Sequence, residues 1–234
     1  RFCKRCFENS RNRIMETVKE QDIKISKTKI ETKKPSIKNG IWLATYKEET
    51  DGMNWFKHTG PGKINATNVS FLAIQVYTMV NNKLPAFLCH YSLATSINDL
   101  TGFHEATKVI QADMNHTLLG YDEYETPEDN IEGVLGNDRS IVISTMDYVP
   151  TPSTDGTYGN ISGDAFDTTS YAIAKMCKEM KVNFKCYKYL TKVQRYKDDM
   201  DDWLAECQKG AKLLKQMCDE RFGDIPSPAG EKNE

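Results

Sequence analysis

Ile41-Trp42-Leu43-Ala44-Thr45-Tyr46 is a short apolar, β-prone run, and the stretch Asn65 to Asn82 beyond it reads as a helix. Leu84 to Tyr91 returns to strand-like sequence. The same alternation extends outward from this unit. Trp55 to Thr59 is a short strand-like run that ends in the turn Gly60-Pro61-Gly62, and Thr107 to Ile110, Ser140 to Ser144 and Phe184 to Leu190 read as further strands. Ala165 to Lys181 carries a helical stripe of Phe166, Ile173, Cys177 and Met180. Asp198 to Glu220 is a final amphipathic helix with Trp203, Cys207, Leu214 and Cys218 on one side. Strands alternating with helices predict a three-layer α/β domain, with a central mixed, largely parallel sheet and helices on its faces.

The chain has 234 residues, 39% hydrophobic and 27% charged, which is the composition of a soluble globular protein. The longest apolar stretch, Val69 to Val80, is interrupted by Ser70, Gln75 and Thr78 and falls short of a membrane span. Net charge conceals an asymmetry. Residues 1–39 hold twelve Lys or Arg against five Asp or Glu, and the rest of the chain holds 19 against 28. These numbers divide the chain into a basic N-terminal arm (1–39), an α/β domain (40–222) and a loose polar tail (223–234). Arg1, Lys4, Arg5, Arg11 and Arg13 are the arm's candidate contacts to an anionic partner, RNA or an acidic protein surface.

The seven cysteines are irregularly spaced, and Cys89, Cys177, Cys186, Cys207 and Cys218 fall in apolar segments. They read as buried thiols in a reducing compartment, the cytoplasm or a mitochondrial matrix. Cys3 and Cys6 form at most half of a zinc site, because the four histidines are scattered singly. No cofactor is expected. A first residue of Arg1 suits either a chain whose leader was removed or a fragment.

Five strings carry a resemblance. Gly60-Pro61-Gly62-Lys63-Ile64-Asn65-Ala66 is similar to the G-x-G-K-x-N-A turn of the nucleoside phosphorylase/nucleosidase family. Ile110-Gln111-Ala112-Asp113-Met114-Asn115 resembles its Q-R-D-M-D segment, and Tyr124-Glu125-Thr126-Pro127 its G-E-T-P. Asp167-Thr168-Thr169-Ser170-Tyr171-Ala172-Ile173-Ala174-Lys175 resembles D-M-E-x-Y-A-x-A-K, and Phe184 to Lys192 the strand that ends in K-Y-I-T-D. Their order matches along roughly residues 40 to 220, closest to the methylthioadenosine/adenosylhomocysteine nucleosidase branch.

The resemblance implies N-glycosidic bond cleavage by three carboxylates: one orients water, one holds the ribose hydroxyls, and one protonates the departing base. Glu49 keeps the first of these positions. The ribose-binding glutamate falls on Thr169, the methionine beside it on Thr168, and the final aspartate on Lys192. The family's small-residue strand end aligns with Ser92-Leu93-Ala94-Thr95, where Leu93 is expected to crowd the base. The sequence therefore predicts a catalytically inactive relative with a vestigial pocket. Its expected role is a structural or binding subunit of a larger assembly such as an organellar ribosome, with a homodimer as another mode of association. A divergent nucleosidase or phosphorylase, or a nucleoside-binding sensor, is the alternative. Glu49, Thr169 and Lys192 are expected around one cleft, where Lys192 and Glu49, if within about 4 Å of each other, would form an ion pair that closes it.

Overall fold

The computed structural model describes residues 34–121, 141–154, 158, 161–194 and 198–226. The arm residues Arg1, Lys4, Arg5, Arg11 and Arg13, the Cys3/Cys6 pair and the Tyr124–Pro127 string lie outside these.

Seven strands are described: β1 (Gly40–Ala44), β2 (Lys57–His58), β3 (Phe87–Ser96), β4 (Gly102–Gln111), β5 (Ile141–Thr145), β6 (Ala165–Asp167) and β7 (Phe184–Thr191). Three α-helices accompany them: α1 (Lys63–Asn81), α2 (Ser170–Glu179) and α3 (Met200–Arg221). The architecture is α/β with a mixed sheet, as expected, but the sheet is not an open layer. It closes on itself. β3 runs parallel to β7, β7 antiparallel to β4, β4 and β6 parallel to β5, and β6 returns antiparallel to the end of β3. β1 joins the first half of β3 in parallel and β2 joins β1.

The length of β3 makes closure possible. Its ten residues exceed what either neighbour on one edge can cover, so Phe87–Tyr91 pairs β1 while Thr95 and Ser96 pair β6. β4 divides in the same way: Gly102–Glu105 pairs β7, and Ala106–Gln111 pairs β5 after a register shift between Ala106 and Lys108. Such irregularities bend a strand and let a sheet curl.

Period-two alternation sorts the strand side chains. Trp42, Ala44, Cys89, Tyr91, Tyr187 and Tyr189 meet Ala211, Leu214 and Cys218 of α3. Ile41, Leu43 and Leu88 point the other way and pack with Ala66, Ala73 and Ile74 of α1 and with Ile173 and Cys177 of α2. A third cluster, with Ala94, Ile143, Ala165, Cys186 and Leu190, packs on Tyr171 and Ala174. Cys89, Cys177, Cys186, Cys207 and Cys218 are free and buried. No helix among the described residues is long and apolar enough to cross a membrane.

Three expectations need correction. Ala165 to Lys181 is not one helix: Ala165–Asp167 is strand, and the helix begins at Ser170 because the Asp167 carboxylate accepts the Ser170 N–H. Residues 35–39 belong to the packed unit, since Ile37 is 2% exposed and its N–H donates to the Gly223 carbonyl. The tail is accordingly anchored at its start, with Gly223 N–H returning to Pro35 and Ile225 packing on the core.

Gly210 tests the α3 contact. A helix-interior Gly→Ala change ordinarily stabilises by about 1 kcal/mol. Here the new Cβ would press on the Tyr91 hydroxyl and lie 2.9 Å from the Tyr189 ring. Overpacking of this kind costs about 1–3 kcal/mol, so Gly210→Ala should lower the urea midpoint. An unchanged or raised midpoint would show that α3 does not pack this closely.

Candidate active site

A cavity of about 320 Å³ opens where the parallel strands end. In closed as in open α/β sheets, ligands bind beyond the carboxyl ends of the parallel strands, where the loops leave them. Thr45, Tyr46 and Glu49 follow β1; Ser92, Leu93, Ala94 and Thr95 come from β3; Asp147 and Val149 follow β5. Phe166, Asp167 and Thr168 come from the end of β6, Val193 and Gln194 follow β7, and Trp203 comes from α3. Pro61 and Gly62 bring the start of α1 to the rim.

Glu49 is 1% exposed and sits on a short 3-10 turn after β1. One carboxylate oxygen accepts N–H bonds from Thr45 at 3.1 Å and Tyr46 at 2.9 Å, and the other accepts from Leu93 at 3.0 Å. Burial pushes its carboxyl up to about 7, against the pull of the Tyr46 and Leu93 N–H groups and the Lys188 charge. Glu49 is therefore a carboxyl that changes protonation near neutrality while lining a cavity.

Beneath the cavity floor lies a group that sequence reading did not anticipate. Lys188 Nζ, fully buried, is 2.7 Å from Asp167 Oδ2. Its other partners are Ser92 Oγ and His90 Nδ1, so three ammonium hydrogens meet three acceptors. A lysine can only donate, which makes His90 Nδ1 the acceptor and places the ring hydrogen on Nε2. Nε2 then faces Thr45 Oγ1 at 3.4 Å and Thr169 Oγ1 at 3.3 Å. Burial lowers His90 well below its ordinary value and the Lys188 charge adds to this, so the ring is neutral. Burial alone would raise Asp167, but the Lys188 charge and hydrogen bonds from Lys188 and Ser170 outweigh it and hold the carboxyl below the usual carboxylate range. For Lys188 the Asp167 charge outweighs burial and keeps the ammonium protonated.

A second cluster ties the rim. Lys63 Nζ contacts Asp113 at 2.6 Å and Asp147 at 3.5 Å. Lys63 N–H donates to Asp147 Oδ1 at 2.8 Å, and Asp147 N–H donates to Asp113 Oδ2 at 2.9 Å. Thr168 Oγ1 accepts the Gly62 N–H at 3.2 Å, where a φ of +92° suits glycine. Strings distant in sequence, Gly60–Ala66 and Ile110–Asn115, thus converge at one edge.

The anticipated residues divide. Glu49, Ser92, Leu93, Ala94, Thr95 and Thr168 line the cavity. Thr169 is buried within the network below it, 3.0 Å from Thr45 Oγ1. Lys192 lies outside, with its exposed ammonium 2.5 Å from Asp99, so the expected Lys192–Glu49 pair is not formed. Leu93 does not fill the cavity. Its backbone N–H instead anchors Glu49. Lys188 had one legible signal: a charge at the inward position between Cys186 and Leu190 of a strand.

Two predictions follow from burial. Lys188→Met leaves an ionised carboxylate buried without its cation and should cost about 3–5 kcal/mol, part of which Asp167→Asn in the same chain restores. Strictly additive losses in a urea double-mutant cycle would show the two to be uncoupled. Glu49 has the opposite sign to Asp167. Its folded value near 7 exceeds the ordinary 4.5, so the fold tolerates the protonated form and loses stability as pH rises from 4.5 to 7. Relative to Glu49→Gln, the native protein should lose about 3 kcal/mol across that window. A pH-independent difference between the two would place Glu49 in contact with water.

No family model matches the chain, and neither does any curated protein. Solved structures do. A 5′-methylthioadenosine/S-adenosylhomocysteine nucleosidase from Colwellia psychrerythraea, in complex with adenine, superposes with a TM-score of 0.64 at 14% identity, over 80% of this chain and 97% of that one. Futalosine hydrolase of Helicobacter pylori gives 0.62 at 16%, over 77% and 97%. The Helicobacter pylori 5′-methylthioadenosine/S-adenosylhomocysteine nucleosidase with butyl-thio-DADMe-Immucillin-A gives 0.62 at 14%, over 81% and 100%. These likenesses correct the expectation of an inactive protein: the structures matched are a hydrolase and nucleosidases, and the cavity that substitutions were expected to ruin is open and holds Glu49. The chain has the nucleoside phosphorylase/nucleosidase fold.

Proposed function

We propose that this chain is a nucleosidase, cleaving the N-glycosidic bond of a nucleoside by attack of water. The observation that carries this reading is Glu49: a buried carboxylate in the cavity, fixed by three backbone N–H groups, with its protonation balanced near pH 7. A general base works best when its pKa lies near the working pH. Ionised Glu49 takes a proton from water as the oxygen attacks the sugar's anomeric carbon. The C–N electron pair leaves with the base. Water rather than phosphate is the nucleophile in this reading, because no Lys or Arg is among the described residues lining the cavity to neutralise a bound phosphate.

The fold and the cavity lend no support to a structural subunit of a ribonucleoprotein. In the enzyme reading the basic residues of the arm serve as an accessory contact to an anionic partner, RNA or an acidic protein surface.

Incubation with a panel of nucleosides should release free base, followed by chromatography. Because the base form of Glu49 is required, kcat/KM should rise with pH through about 7 and then level. Glu49→Gln should lose about 10²–10⁴-fold. If no nucleoside yields free base, or if Glu49→Gln retains full activity, the proposal fails.

A further inference from the structure

Within the nucleosidase reading, we propose that the substrate's base is cationic while it is bound to the sugar and leaves neutral: an N-alkylated purine or a pyridinium carried as its riboside. Three features of the cavity point there.

The first is the supply of protons. Cleaving a nucleoside with a neutral base takes two proton transfers, one from the attacking water and one to the departing nitrogen. Among the described residues, three carboxyl side chains line the cavity: Glu49, Asp147 and Asp167. Asp167 cannot donate, since it is ionised and already accepts from Lys188, Ser170 Oγ and Thr145 Oγ1. Asp147 is engaged by the Lys63 N–H and ammonium. Of these three, Glu49 alone is left to exchange a proton, and it serves the water. A cationic base needs no second transfer. When the C–N bond breaks, its electron pair goes to the ring nitrogen and cancels the positive charge there. The sugar gains the water's hydroxyl, Glu49 holds the water's proton, and the base departs neutral.

The second feature is the field. Three described lysines are drawn away from the cavity by carboxylates. Lys188 lies below the floor against Asp167, Lys63 is held on the rim by Asp113 and Asp147, and Lys192 pairs with Asp99 outside. Among these described side chains, two ammonium groups, Lys63 and Lys188, face four carboxyl groups, Glu49, Asp113, Asp147 and Asp167, so the surplus is negative. Partial desolvation strengthens such a field.

The third is the wall. Tyr46, Phe166 and Trp203 line the cavity, the first and last meeting edge to face with centroids 5.7 Å apart. Aromatic faces attract a flat organic cation more than its neutral isostere.

Charge preference is measured without turnover by titrating the native protein with 1-methylnicotinamide, a permanent cation, and 3-methylbenzamide, its neutral isostere. The cation should bind at least about tenfold tighter, and Asp147→Asn should shrink that ratio. Equal affinities, tighter binding of the neutral ring, or no binding of either overturns the proposal. In the second experiment, nicotinamide riboside and 7-methyladenosine, whose charge is fixed at pH 8, are compared with adenosine and inosine, each rate divided by its spontaneous rate. The cationic pair should show at least about tenfold greater acceleration. Neutral nucleosides accelerated equally well would reveal a proton donor and overturn the proposal while leaving the nucleosidase reading intact. Cation-selective binding with no cleavage of any nucleoside would do the reverse: the nucleosidase reading would fall and the charge preference would stand.

Discussion

The buried Asp167–Lys188 pair is the constraint around which this molecule is organised. Lys188 comes from β7 and Asp167 from the end of β6; the other two lysine contacts, His90 and Ser92, come from β3. These are three strands of the closed sheet, and β3 is the one that touches both others. The pair therefore joins the strands where the barrel closes. Taking two charges out of water costs several kcal/mol each, and their attraction rarely repays more than that. The pair is best understood as specifying an arrangement. With every ammonium hydrogen and most carboxylate lone pairs engaged, a slip of β7 by one residue would turn Lys188 outward and strand Asp167 in the core.

From this constraint the site follows. Asp167 also accepts the N–H groups of Thr169 and Ser170, so the same carboxylate that holds Lys188 starts α2. Ser92 is fixed by Lys188, and the next residue along β3, Leu93, donates its N–H to Glu49. The Lys188 charge reaches Glu49 and tempers the effect of burial on it. A carboxylate that burial would otherwise neutralise is kept within reach of ionisation near neutral pH. One buried cation thus shapes the floor, the backbone and the proton balance of the cavity.

How much of this was legible in the sequence depends on the range of the interactions involved. Strands and helices are local: Ile41–Tyr46, Asn65–Asn82 and Phe184–Leu190 carry their periodicity within a few residues, and each is found with ends shifted slightly. Closure of the sheet is not local. It depends on a ten-residue β3 sharing one edge between β1 and β6, and no property of Phe87–Ser96 alone announces two neighbours. Ala165–Asp167 was absorbed into the helix that follows because three residues cannot show a period of two. At the site, Glu49 was legible by resemblance. The Lys188 network was not, because position-by-position comparison asks what replaced each expected side chain. It does not ask which charges the fold brings together. Thr169 and Lys192 read as losses on that basis, although the carboxylate and the ammonium nearest the floor are Asp167 and Lys188.

The same logic explains why a cavity can persist despite such substitutions. A threonine at 169 is short enough to be wholly buried, and its hydroxyl bridges His90 and Thr45. It thereby joins the β6–α2 turn to the end of β1, directly before the segment that bears Glu49. Lys192, one residue beyond β7, satisfies its charge in water against Asp99 and leaves the cavity edge to Val193 and Gln194. Neither change places an unpaired charge inside, and neither occupies the space a ligand would need. What the substitutions alter is the character of the space. The turn that bears Glu49 packs on α3, the helix of Trp203, and Phe166 and Gln194 line the same cavity, so an ionisable carboxyl is set among aromatic and amide groups.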